Sequence, residues 1–77
     1  MGTIAGGKEQ RTFIGISKGT HDDPAKFDEA LASAAAKIVK SGVVTKRKGP
    51  KWFTVTGVEV EIENQNVKTF RVSVTGP

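Results

Sequence analysis

The side chains able to do chemistry fall into a few small groups. His21 is the only histidine and stands beside Asp22 and Asp23, an imidazole next to two carboxylates. These are metal-ligand types, but the three are consecutive at the start of a helical pattern, where helix capping already accounts for the acidic pair. Ser17, Ser41 and Ser73 have no histidine or lysine in a nucleophile pattern, so no hydrolytic centre is expected. Zero cysteines exclude a disulfide scaffold, a thiolate zinc site and a cysteine nucleophile. Gly2, Gly6 and Gly7 fit neither phosphate-loop pattern. Glu59, Glu61 and Glu63 alternate along one segment, where they read as cation attractors or as solubilising groups. What remains is binding rather than catalysis. Lys46, Arg47, Lys48 and Lys51 run up to Trp52, the only tryptophan, and Arg71 follows nineteen positions later.

Those groups must be held by a small framework. Seventy-seven residues, 36% hydrophobic and 26% charged, make one small domain with no run long enough for a membrane-spanning helix. A chain this short buries only about 60% of its unfolded surface. Self-association is therefore the expected further source of stability. The net charge of +4 disappears when the four basic residues between 46 and 51 are set aside, so the excess belongs to one loop. That loop reads as a solvated connector or as a contact for phosphate or nucleic acid. Residues 1–10 read as a flexible N-terminal arm without the apolar core of a secretory signal; residues 11–77 read as the domain, and the expected location is cytoplasmic.

Arg11 to Lys18 alternates around Phe13, Ile14 and Ile16 as a short strand closed by Gly19-Thr20. Phe27, Ala30, Leu31, Ala34, Ala35, Ile38 and Val39 keep a helical spacing without a gap. Asp23 and Pro24 suit its start and Gly42 its end. The alanines make a thin stripe that lets the helix lie close to whatever it covers. Gly49-Pro50 marks a turn, after which Trp52 to Glu63 and Val67 to Thr75 read as two strands joined at Asn64-Gln65-Asn66. The expected fold is α+β in the order β-α-β-β, a three-stranded antiparallel sheet packed on one amphipathic helix.

With Asn64 and Gln65 as the turn, paired residue numbers sum to 129. This places Glu61 beside Lys68, Glu59 beside Phe70, Gly57 beside Val72 and Val55 beside Val74. Trp52, Val58, Val60 and Ile62 then share the opposite face with Val67, Thr69 and Arg71. One helix covers one side of a sheet, so the second side is expected to meet other subunits. A one-residue bulge would exchange the faces beyond it.

From Thr12 to Val74 the chain resembles the dodecins, small β-α-β-β proteins that assemble as hollow dodecamers. The likeness is carried by Gly19-Thr20, Phe27-Asp28-Glu29-Ala30, Lys51-Trp52-Phe53, Glu61-Ile62-Glu63-Asn64 and Thr69-Phe70-Arg71-Val72. The resemblance implies a non-catalytic homo-oligomer that stores or sequesters a flavin, riboflavin or FMN, with coenzyme A-type ligands left open. Trp52 would be the stacking residue, and Lys51 or Arg71 would meet a phosphate. The family often has Gln at the position of Arg71, and Arg offers donors only. The segment 43–51 is longer than in the family. Two other readings stand beside this one: a ligand-free assembly of the same subunit, and nucleic-acid binding through Lys46, Arg47, Lys48, Lys51 and Trp52.

Overall fold

The computed structural model describes residues 10–77; the expected arm falls outside the described residues apart from Gln10, an exposed residue without regular structure. Strand β1 spans Arg11–Lys18, helix α1 Phe27–Ser41, strand β2 Thr54–Glu63 and strand β3 Asn66–Gly76. The three strands form one antiparallel sheet in the order β1-β3-β2, the α+β architecture expected from the sequence. The chain's last strand lies in the middle, leaving β1 and β2 as the two edges.

The helix begins three residues after Pro24. Lys26 takes the cap position with extended dihedrals and no side-chain cap bond. Asp23 instead belongs to a tight turn, its N–H donating to Thr20 Oγ1 at 3.0 Å while the Thr20 N–H donates to the Asp23 carbonyl at 2.7 Å. The turn absorbs the residues that the sequence offered as a cap. Asp28 and Glu29 still occupy the first turn and Lys40 the last, the favourable arrangement for the helix dipole. Gly42 ends the helix at φ 86°, as a left-handed cap requires.

Ala30, Ala34 and Ile38 pack against Val72 and Val74 to form the core, with Phe13, Phe53 and Phe70 at its border. The close approach rests on Gly15. A Cβ there would collide with the Ala30 carbonyl and the Ala34 backbone, so glycine on the strand and alanine on the helix fit one another. The core is small: Val72 is its only large side chain that is fully buried.

The hairpin turn is as expected, with Asn64 at φ 50° and Gln65 at φ 72°, the pair of left-handed residues that a two-residue hairpin loop uses. The register departs from expectation between the strand ends. Val55 pairs with Val74 and Ile62 with Val67, but from Gly57 to Glu61 the pairing is shifted by one. Thr56 is the extra residue on β2, and Lys68 the extra residue on β3 at the other irregularity, so the two shifts cancel. Gly57 therefore faces Ser73, Val58 faces Val72, Glu59 faces Arg71, Val60 faces Phe70 and Glu61 faces Thr69. The expected pairs of Gly57 with Val72, Glu59 with Phe70 and Glu61 with Lys68 are corrected accordingly. Val58 and Val60 move to the helix side of the sheet, and the glutamates move to the side away from it, where they find polar partners.

Candidate functional site

The helix covers only part of its own side of the sheet. It packs on β1 and β3 and not on β2. Val58 and Val60 thus lie beside the helix rather than under it, 50% and 49% exposed. Across from them, Phe27 and Leu31 on the helix flank are also partly open, and the Phe27 ring meets Phe70 edge-on at 6.0 Å. Between the helix flank and the start of β2 runs a shallow groove of about 280 Å³, lined by Leu31, Ala35, Ile38, Phe53, Val55 and Val74, with Lys51 at its rim. Val58 and Val60, expected on the far face, are on the near one because the Thr56 bulge turned them over, while the far face keeps Ile14 and Ile16, both partly exposed.

Trp52 precedes β2 and is 95% exposed. Before it, residues 45–49 form a compact turn: the Thr45 carbonyl accepts from the Gly49 N–H at 2.8 Å and Thr45 Oγ1 accepts from the Lys48 N–H at 3.0 Å. Lys48 Nζ donates to the Gly42 carbonyl at 2.9 Å, tying the basic turn to the helix end. Lys46, Arg47 and Lys51 project outward and take part in no ion pair among the described residues.

Arg71 is placed differently. Its guanidinium grips Glu59 of the same chain, with Nε and Nη2 both 2.6 Å from Oε1, on the sheet face away from the helix. Ile16, Lys18, Val60, Glu61 and Thr69 complete a depression of about 360 Å³ around this pair. Thr54 at the start of β2 lies opposite Thr75, four residues from Arg71 along β3, or about 13 Å. One chain therefore brings Lys51 and Trp52 together and keeps Arg71 apart from both. Arg71 thus finds a carboxylate partner within its own chain, Glu59. The sequence signal for that pair was Gly57, since glycine inside a strand often marks a bulge.

The cleft around His21 is lined by Thr20, Glu63, Asn64, Asn66 and Lys68, and Lys68 is paired with Glu63 at 3.6 Å. Among the described residues no cluster of histidine and carboxylate groups could hold a metal ion. No described helix is long and apolar enough to cross a membrane. No known protein family, curated protein or solved structure matches the chain.

Proposed function

We propose that this chain is a dodecin-like, non-catalytic subunit that assembles with copies of itself along its β2 side and holds a flat ring, a flavin such as riboflavin or FMN, against Trp52. The observation that carries the reading is the uncovered β2. An edge strand flanked by exposed Val55, Val58 and Val60, in a domain whose core is mostly alanine and valine, leaves apolar surface that association would bury. At about 25 cal/mol per Å² such burial stabilises an assembly before the costs of association are met. Trp52 would act by ring overlap and release of water from its open faces, with Lys51 beside it to meet a phosphate. The flavin is stored or sequestered, not transformed, in a cytoplasmic particle of dodecameric type.

Two measurements on the same sample test this. Light scattering should give a particle many times the mass of the 8.2 kDa chain. Added riboflavin or FMN should lose its fluorescence at micromolar protein, and Trp52→Ala should restore it. A monodisperse 8 kDa species would refute the assembly; unquenched flavin in the presence of a large particle would leave a ligand-free assembly of the same fold. The engagement of Arg71 by Glu59 favours that second reading, because it removes one of the three expected ligand contacts.

A further inference from the structure

The fold sorts charge in a way the linear sequence hides. The helix runs back along β1, so its C-terminal end lies with the start of β1, the start of β2 and the end of β3. Lys37 and Lys40 of the helix and Arg11 of β1 thereby join Lys46, Arg47, Lys48 and Lys51. Lys37 marks the boundary, its Nζ donating to the Ile14 carbonyl at 2.6 Å. No acidic side chain of the described residues lies in this half. Glu59 stands at the level where Ile16, Arg71 and Glu59 pair across the sheet, and Asp22, Asp23, Asp28, Glu29, Glu61 and Glu63 belong to the half beyond it. Lys40, Lys46, Arg47 and Lys51 are in no ion pair among the described residues. In the same half stands Trp52, 95% exposed and next to Lys51.

We propose that this basic end binds single-stranded nucleic acid, with phosphates on Lys40, Lys46, Arg47 and Lys51 and a base stacked on Trp52. A group of cations with no carboxylate in its half among the described residues attracts polyanions, and the exposed indole decides among them. A base in a single strand can leave its neighbours and stack, which a paired base in a duplex cannot do without unstacking. The basic end also offers no helix directed outward to enter a major groove, since α1 lies flat on β1 and β3. Anionic lipid is the weaker fit: the turn 45–49, which carries Lys46 and Arg47, presents no large apolar side chain to insert beside Trp52. The acidic half repels the same strand and so orients its approach. This proposal goes beyond the flavin reading and does not require it. Both use the indole, but riboflavin carries no charge, so it would compete for Trp52 without drawing on the cations.

The chain supplies its own probe, having one tryptophan and no tyrosine. Titration with oligo(dT) of about 12 nucleotides, within the span that single-strand modules cover, should quench Trp52 fluorescence. The logarithm of affinity should fall with the logarithm of salt at a slope of about −3, as four phosphate contacts require. With a labelled oligonucleotide read by anisotropy, Trp52→Ala should weaken binding about 5- to 100-fold and keep the slope. The triple variant K46Q/R47Q/K51Q should flatten the slope by about 2 units. Circular dichroism of both variants should match the parent, since all four side chains are exposed. Absence of quenching and of any anisotropy change at low salt overturns the proposal. Equal affinity for a duplex of matching charge with no effect of Trp52→Ala overturns it as well, leaving unspecific polyanion attraction. A tryptophan response to phosphatidylserine-containing vesicles but not to the oligonucleotide overturns it in favour of a membrane surface.

Discussion

The two edges of the sheet are treated in opposite ways. At β1 the helix side chains occupy the outward-facing backbone: Lys37 Nζ donates to the Ile14 carbonyl at 2.6 Å and Ser33 Oγ accepts from the Ile16 N–H at 3.4 Å. Ser17, almost fully buried, donates to Glu29 Oε1 at 3.1 Å and finishes the join. At β2 no element of the described chain takes the corresponding position, and nine of its ten residues are exposed. An open edge is a hazard that proteins control or use. Here the bulge at Thr56 and the glutamates at 59, 61 and 63 discourage unlimited strand addition, while Val55, Val58 and Val60 leave apolar surface along the strand. The lesson is that a single helix can satisfy one edge of a three-stranded sheet and has no reach left for the other.

Breaking the covered edge should have the largest effect. Gly15→Val places a branched side chain against the Ala30 carbonyl and the Ala34 backbone and should cost upward of about 3 kcal/mol. Urea unfolding should show this as a lower midpoint with an unchanged slope. On the bare edge, Val58→Asp with Val60→Asp should leave the subunit's helix and sheet intact by circular dichroism. Burial lost at the contact, about 3 kcal/mol, should weaken association roughly 100-fold, visible as dissociation on dilution. Loss of the subunit fold in that variant would mean that β2 is part of the subunit's own core, and the contrast between the edges would fail.

Smaller changes sharpen the same contrast. Ser17→Ala leaves Glu29 without its donor beneath the helix and should lower stability by about 1 kcal/mol in the same urea assay. Glu59→Ala removes the Arg71 partner on the open face, where both side chains are more than half exposed, and should move stability by no more than about 1 kcal/mol. That variant also frees the guanidinium: stronger quenching of FMN than in the parent, with riboflavin unchanged, would show that the pair had been withholding Arg71 from a phosphate.

Much of the framework was legible because it depends on neighbours in sequence. The spacing of Ala30, Ala34 and Ile38 fixes a helix face; Gly42 ends it; Asn64 and Gln65 tolerate the left-handed dihedrals of a tight turn. Asp23 shows the limit even of local reasoning, because Thr20 captured it in a turn and the helix started later without a side-chain cap. The candidate site was less legible. Trp52 and Lys51 are neighbours by connectivity alone, whereas the pairing of Arg71 depends on which residue of β2 lies across from it. A single extra residue at Thr56 decided that question and carried Val58 and Val60 to the other face.

The order of elements, the helix face and the hairpin turn follow from residue pattern alone, since periodicity and backbone preference act over a few residues. Only the tertiary structure decided where along β2 the register shifts, which half of the sheet the helix covers, and how Lys37, Lys40 and Arg11 gather with the basic turn. Those outcomes depend on contacts between segments distant in the chain: a bulge in one strand offset by a bulge in its partner, and a helix whose closest approach is to the strand carrying Gly15.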